Sequence, residues 1–453
     1  MVSSRGRHRS AVRDVASRYL PVGSLRRSLA SGAFWSLVGA VSSRGLMLLT
    51  TIVLARLLGK SGYGLWGLVA STVSMFAGLA GAGLSVTATK HIAQLKKTDP
   101  ARAGRTLSLV MAVGLVSVML MAVLCMVTSG WVSNRLYHTP SLSGPLKLAG
   151  LMVFFMVAAQ ILQGALAGFE EFQRIAYNNL VQGIVAVMVA IPMTYWLGVP
   201  GAVIGMAIAW AAAMMLNLRE TLRASRKHGL AIGARGMWQE RHVLWSYIAP
   251  SLLTSVVAAP APVLGLSLVM QTEGGLAGIG GLTVALRWRD LVLFIPASIK
   301  RVALPMLSRL RGENDGARFV RALWANIGLN GGVALAGAIP VALLAPWILS
   351  LYGPEFRQDW DLIAVLMVAA VFQAVNDVVT QVTACTNRMW WRFFIHIVWA
   401  GTLVGGSYWL VPVYGVRGYA WALTLAVVGH MLLNITAAIV SIRGSDGIEA
   451  AAV

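Results

Sequence analysis

The chain has few charged residues and only two cysteines. Of its 453 residues, 12% are charged and 57% are hydrophobic, whereas soluble domains carry about 25% charged residues. This composition excludes an ordinary soluble domain and indicates an integral membrane protein. Cys125 and Cys385 lie far apart in apolar runs, so neither a disulfide framework nor a metal site is expected. The histidines show no ligand spacing, and we expect no cofactor and no catalytic site.

Acidic residues are also scarce. The chain has 16 Asp and Glu against 37 Lys and Arg, which gives a formal net charge of +21. A nucleic-acid-binding protein would need a soluble basic face, but these basic residues lie mostly between hydrophobic runs. The excess therefore indicates membrane topology and contact with anionic membrane lipids, and no nucleic-acid partner is expected.

Apolar runs long enough to cross a bilayer, which takes about 20 residues, occur twelve times. They are 29–54, 62–87, 105–128, 145–167, 175–197, 200–218, 244–270, 278–303, 319–345, 361–384, 393–412 and 417–440. Because their number is even, both termini lie on one side. The segments that are cytoplasmic when the N-terminus is inside hold most of the Lys and Arg residues, so the positive-inside rule predicts cytoplasmic termini.

These runs predict an all-α polytopic membrane protein with two six-helix lobes around a central cavity. The expected segments are a basic cytoplasmic tail (1–28), an N-terminal lobe (29–225), a cytoplasmic connector (226–243), a C-terminal lobe (244–442) and a second cytoplasmic tail (443–453). The sequence Gly62-Tyr63-Gly64 followed by Lys90 parallels Gly278-Ile279-Gly280 followed by Lys300. Parallel six-span repeats of this kind predict a transporter with its site between the lobes at mid-depth.

Ionisable residues interrupt the eighth run near its middle, at Arg287-Trp288-Arg289-Asp290. A charge at mid-depth costs about 2.5 to 3.5 kcal/mol on insertion scales, so these side chains should face protein or water. Arg287 and Asp290 share a helix face and can pair, while Arg289 points elsewhere, which leaves one arginine for a ligand. The alternative is a clamp between helices with no role in substrate binding.

Arg44 lies near the middle of the first run, roughly ten residues from either end. Snorkelling to the membrane surface requires a position close to a helix end, so we expect Arg44 to line the same cleft as the eighth run. In the tenth run, Asp377 lies four residues from both Gln373 and Gln381, which gives one polar stripe. Asp377 and Asp290 are candidates for proton or ion coupling; an interhelical hydrogen bond or a counter-charge for an arginine is the alternative.

Glycines and prolines add two expectations about helix shape. The second run is rich in glycine, which favours close helix packing, with hinge motion as the alternative. Pro250, Pro260 and Pro262 in the seventh run and Pro296 in the eighth predict kinked helices.

Several stretches along 29–442 resemble the Wzx-type polysaccharide flippases of the multidrug/oligosaccharidyl-lipid/polysaccharide exporter superfamily. They are Gly32-Ala33-Phe34-Trp35-Ser36, Leu54-Ala55-Arg56-Leu57-Leu58-Gly59, Gly62-Tyr63-Gly64-Leu65, Gly81-Ala82-Gly83-Leu84, Arg287-Trp288-Arg289-Asp290 with Pro296, Leu304-Pro305-Met306-Leu307-Ser308-Arg309, and Leu351-Tyr352-Gly353-Pro354-Glu355-Phe356. The resemblance implies two six-helix lobes that open alternately to each side of the bacterial cytoplasmic membrane. It also implies a substrate, an oligosaccharide carried on undecaprenyl (poly)phosphate, and work alongside a polysaccharide polymerase and glycosyltransferases.

Guanidinium groups suit a diphosphate ligand because they form charge-assisted, bidentate hydrogen bonds. We therefore expect Arg44, Arg287 and Arg289 to bind the substrate, with Arg56 as a further candidate at the outer rim. The first alternative is a cation-coupled exporter of small drugs, which the lack of a carboxylate in the first run disfavours. Twelve runs rather than fourteen disfavour a flippase for peptidoglycan precursors. A membrane enzyme is the second alternative, and the short outer loops disfavour it.

Overall fold

The computed structural model describes residues 25–231, 233, 236–242, 245, 248–299, 316–385 and 389–449. Within these ranges, side chains are described except at 25–42, 316–317, 382–385, 389–390, 392 and 440–449. Lys300, the side chain of Cys385 and most of the two predicted tails lie outside this set.

Helices account for the described part of the chain, which contains no strand. They are α1 (Leu25–Gly81), α2 (Leu84–Leu95), α3 (Pro100–Trp131), α4 (Ser143–Gly168), α5 (Phe172–Val185), α6 (Ile191–Leu197), α7 (Val199–Lys227), α8 (Ala249–Ala258), α9 (Pro260–Met270), α10 (Gly275–Val292), α11 (Gly316–Leu343), α12 (Ala345–Ser350), α13 (Trp360–Cys385), α14 (Met389–Tyr414) and α15 (Val416–Glu449). Short π-helical turns follow α3 and α5, and 3₁₀ turns lie at Pro140–Leu142, Met237–Glu240 and Pro354–Asp359. The predicted all-α polytopic fold is confirmed.

Ten helical segments among the described residues are long and apolar enough to cross a membrane. The first of them, Ser43–Gly81, covers parts of two predicted runs. Gly59 (φ 68°, ψ 175°) breaks the helix between these two runs. A side chain would strain this positive φ, and glycine has none. The eighth predicted run forms α10 but is not among the ten, because Arg287, Arg289 and Asp290 lower its hydropathy. Each of the twelve runs therefore contains described helix, although residues 244, 246–247 and 300–303 of the seventh and eighth runs lie outside the described set.

Proline interrupts two helices where the sequence predicts kinks. The seventh run divides into α8 and α9, and Pro260 is the first residue of α9. In the eighth run, α10 ends at Val292, four residues before Pro296. A proline ring clashes with the carbonyl four residues earlier and provides no N–H for it. Pro296 therefore explains why α10 ends at Val292.

Packing within each half of the chain is extensive. In the N-terminal half, α4 packs against α3 and α7; in the C-terminal half, α15 packs against α13 and α14. The main contact between the halves is α1 against α10, with smaller contacts from α1 to α8 and α9.

The α1–α10 contact is close because it is made by glycines. A Cβ atom on Gly64 would overlap the carbonyl oxygen of Leu276, and one on Gly280 would overlap the carbonyl oxygen of Lys60. Gly64 and Gly280 occupy corresponding places in the parallel that the sequence shows between the halves. The glycine-rich run favours close helix packing, and the structure shows such packing at the α1–α10 contact.

Candidate functional site

A cavity between the two halves brings together two of the predicted arginines. Arg44 of α1 and Arg287 of α10 both line this cavity of about 70 Å³, together with Met47, Leu48, Thr51, Asp290 and Leu291. We call it the arginine cavity. The α1 residues recur at intervals of three or four, as do Arg287, Asp290 and Leu291, so each set lies on one helix face. The expectation that the first and eighth runs contribute to one cleft agrees with this geometry.

Arg44 also contacts an aromatic ring of the C-terminal half. Its Cζ atom lies 4.8 Å from the centroid of the Phe294 ring. A guanidinium at this distance from a ring face is attracted by the ring quadrupole. The contact orients the Arg44 side chain across the interface between the halves, where it lines the arginine cavity.

A second cavity, of about 150 Å³, adjoins the first. The two share Met47, Thr51 and Arg287. Its other lining residues all belong to the N-terminal half and are mostly apolar: Thr50, Leu54, Trp66, Ala70, Val73, Ser74, Met152, Met156, Ala186, Met206 and Trp210. We call it the tryptophan cavity. Sequence reasoning missed it, because methionine and tryptophan in apolar runs cannot be told from packing residues before the helices are assembled.

Arg289 points away from both cavities. Its Nη2 atom lies 3.7 Å from Asp290 Oδ1, and it is among the charges that act on the buried Tyr419 of α15. Arg289 lines neither the arginine nor the tryptophan cavity. The ion pair of Asp290 is thus with Arg289, whereas the helix spacing suggested Arg287. Of the two arginines, Arg287 is the one that lines the arginine cavity.

Arg56 connects the two halves away from the cavities. Its Nε–H group donates a hydrogen bond of 2.6 Å to the carbonyl oxygen of Leu351. Nearby, Lys60 pairs with Asp359. Both contacts lie at the end of the molecule that the topology predicts to be periplasmic. The structure therefore places Arg56 in the contact between the halves rather than with Arg44 and Arg287.

Asp377 lies within the C-terminal half and lines neither cavity. Its Oδ1 atom accepts a hydrogen bond of 3.0 Å from Gln373 Nε2, as their spacing on α13 allows. The neighbouring Asn376 contacts α15 through hydrogen bonds with His430 and Asn434. His430 was not singled out in the sequence, because a lone histidine in an apolar run carries no spacing signal.

The fold is that of a multi-pass membrane protein with a cavity between its two halves. Two solved structures with this fold are the lipid II flippase MurJ in an inward closed conformation (TM-score 0.69, 14% identity, 90% of this chain and 89% of that chain) and a multidrug resistance MATE family transporter of the MOP superfamily in an inward-facing conformation (TM-score 0.69, 15% identity, 92% and 99%). At such identities the likeness shows the fold alone.

Comparisons of the sequence find relatives in polysaccharide biosynthesis and export. Residues 29–228 match the family described as polysaccharide biosynthesis protein. The EPS I polysaccharide export inner membrane protein EpsE of Ralstonia nicotianae is 27% identical over 401 residues (85% of this chain, 87% of that protein). The lipid III flippase of Escherichia coli is 25% identical over 418 residues (87% and 94%). These similarities agree with the resemblance to Wzx-type polysaccharide flippases that the sequence predicts.

Proposed function

We propose that the chain flips a polyprenyl-(pyro)phosphate-linked oligosaccharide across the bacterial cytoplasmic membrane by alternating access, for polysaccharide biosynthesis and export. The observation that carries this proposal is that Arg44 and Arg287, one from each half, line one cavity. Similarity to a polysaccharide export protein and to a lipid III flippase supports it. In this topology both termini are cytoplasmic.

The chemistry of the arginine cavity suits a phosphate or diphosphate. Each guanidinium can donate two parallel hydrogen bonds to phosphate oxygens, and charge-assisted bonds are about twice as strong as neutral ones. A buried anion would also stabilise the two cations at mid-depth, where an ionised side chain is costly. Asp290 lines the same cavity, so the arriving phosphate competes with a carboxylate, which favours release after transport.

The positions of the two arginines, one in each half, support alternating access. Because Arg44 belongs to the N-terminal half and Arg287 to the C-terminal half, any rocking of the halves changes the distance between the guanidinium groups. Substrate binding is then strongest in conformations that bring the arginines together. A ligand shifts the equilibrium between two conformations only if it binds them with different affinity.

Replacement of Arg44 and Arg287 tests the proposal. In a host that depends on this chain for a surface glycan, Arg44→Ala and Arg287→Ala should abolish export and cause the lipid-linked oligosaccharide to accumulate. Arg135→Ala is the matched control, because Arg135 is exposed in the π-helical turn after α3 and lines neither cavity. Normal export by both cavity variants, at protein levels equal to the control, would refute the proposal.

A cation-coupled exporter of small drugs is the second candidate, since the fold is shared with MATE transporters. The acidic residue on which it depends is Asp377, with Asp290 as the other candidate for coupling. Loss of drug resistance in Asp377→Asn, without a change in glycan export, would favour it. Two arginines in the cavity disfavour cationic drugs, because like charges repel in a medium of low dielectric constant.

Glycosyltransferases, which act before the flippase, and a polymerase, which acts after it, are the proposed partners.

A further inference from the structure

We infer that the tryptophan cavity binds the sugar residue that is attached directly to the phosphate group; the inference rests on the proposed function. The cavity adjoins the arginine cavity and shares Met47, Thr51 and Arg287 with it. A group bonded to a phosphate held by Arg287 would therefore enter the tryptophan cavity. Only two parts of the substrate are attached to the phosphate group, the first sugar on one side and the polyprenyl chain on the other. The rest of the oligosaccharide is too far from the phosphate to enter the cavity.

The size of the cavity fits a single ring. Its volume is about 150 Å³, and an apolar protein cavity of roughly that volume can hold benzene. One six-membered sugar ring is of comparable size, whereas a disaccharide is not. The rest of the oligosaccharide would then extend out of the cavity, so that only the first sugar is recognised here.

Two indole groups favour a sugar over a polyprenyl chain. Trp66 and Trp210 both line the cavity, and Trp66 is only 3% exposed. In the described part of the chain, neither indole Nε1–H group has a hydrogen-bond acceptor. Buried donors normally have one, and a hydrocarbon chain offers none. Sugar hydroxyl and ring oxygens would accept these hydrogen bonds.

The remaining wall of the cavity suits the apolar face of a sugar ring. Met152, Met156 and Met206 line it alongside the two tryptophans, and unbranched, polarisable methionine side chains adapt to ligands of irregular shape. Aromatic rings provide a large flat surface together with a polar N–H group. The cavity thus offers what a pyranose ring presents, which is C–H groups on its faces and oxygen atoms around its edge.

Binding of matched lipids to the purified full chain in lipid nanodiscs tests this inference. The probes are undecaprenyl diphosphate alone and the same lipid carrying one glucose or one N-acetylglucosamine. We expect the unaltered chain to bind at least one sugar-bearing lipid more tightly than the bare diphosphate. Trp66→Phe and Trp210→Phe should each weaken binding of that lipid by about 3- to 10-fold, the worth of one hydrogen bond, with no effect on the bare diphosphate.

Control variants separate this inference from the proposed function. Trp409→Phe, at a site 77% exposed, should change neither affinity. Ala70→Leu, which fills the cavity without removing a tryptophan, should abolish the preference for the sugar-bearing lipid. If the tryptophan variants weaken binding of both lipids equally, or if the unaltered chain shows no preference, the inference fails. If Arg287→Ala leaves both affinities unchanged, the proposed function fails instead.

Discussion

Lys60 Nζ lies 2.7 Å from Asp359 Oδ2, and this ion pair joins the N-terminal half of the chain to the C-terminal half. Both side chains are about nine-tenths buried, with 11% and 10% exposed. Lys60 directly follows the break at Gly59, and Asp359 ends the 3₁₀ turn that precedes α13. The hydrogen bond from Arg56 to Leu351 crosses between the same halves. These contacts hold the two halves together at the end predicted to be periplasmic.

Asp359→Asn should lower the free energy of unfolding by about 3 to 5 kcal/mol, because it leaves the Lys60 ammonium buried without its counter-charge. Thermal unfolding of the purified protein measures the effect. Asp361→Asn is the matched control: it breaks the more exposed pair with Arg417, and exposed pairs contribute about 0 to 1 kcal/mol. An equal loss in both variants would contradict the prediction.

The same ion pair should control access from the predicted periplasmic side. Ala55 is fully buried beside Arg56, so Ala55→Cys, in a chain whose two native cysteines are replaced by alanine, should react slowly with a membrane-impermeant maleimide. Addition of Lys60→Met should increase the labelling rate several-fold, because the halves can then separate at this end. A rate that is unchanged by Lys60→Met, with the variant folded, would show that the pair does not hold this end closed.

The helices were more predictable from the sequence than their contacts. Apolar length located all twelve runs, and proline spacing located the breaks at Pro260 and before Pro296. Hydropathy does not reveal which side of a helix faces protein, because the lipid is as apolar as the protein interior. Val127 is 75% exposed and Val157 is fully buried, although both are valines in long apolar runs.

The candidate site was predictable where charge marked it. Arg44 and Arg287 are conspicuous because ionisable residues at mid-depth require a polar environment. The tryptophan cavity was not predictable, since most of its residues come from α1, α4 and α7, and their spacing of three or four residues is that of any buried helix face. The partner of Asp290 depends on side-chain rotamers as well as helix spacing, which is why Arg289 rather than Arg287 lies within ion-pair distance.

Gly64→Ala should destabilise the protein by about 1 to 3 kcal/mol, the usual cost of overpacking, since the added methyl group would overlap the Leu276 carbonyl. It should also reduce export, because α1 and α10 carry the cavity arginines. Gly130→Ala on α3, where nothing lies within 4 Å of the added atom, is the control and should be neutral or stabilising. Thermal unfolding measures both. Tolerance of alanine at Gly64 would show that α1 and α10 have room to separate.

Asp290→Asn should strengthen binding of a diphosphate lipid. The carboxylate lines the arginine cavity and repels an anion there; one unit charge at about 8 Å and an effective dielectric constant of about 40 contributes about 1 kcal/mol, or roughly fivefold in affinity. Titration of the purified protein with undecaprenyl diphosphate at low salt measures the change. Glu273→Gln, on an exposed turn, should have no effect. Weaker binding by Asp290→Asn would mean that this carboxylate positions an arginine instead of opposing the phosphate.

The two neighbouring arginines of α10 should differ in their effect on substrate binding. Arg287 lines both cavities, whereas Arg289 lines neither and lies 3.7 Å from Asp290. Loss of a bidentate, charge-assisted contact should cost about 1.5 to 3 kcal/mol, so Arg287→Ala should weaken binding of undecaprenyl diphosphate by at least about tenfold. Arg289→Ala should weaken it less than about threefold, because it acts only by releasing Asp290. If that explanation is right, Arg289→Ala should have no effect in an Asp290→Asn background. Equal losses from Arg287→Ala and Arg289→Ala would place the phosphate between the two side chains, outside the arginine cavity.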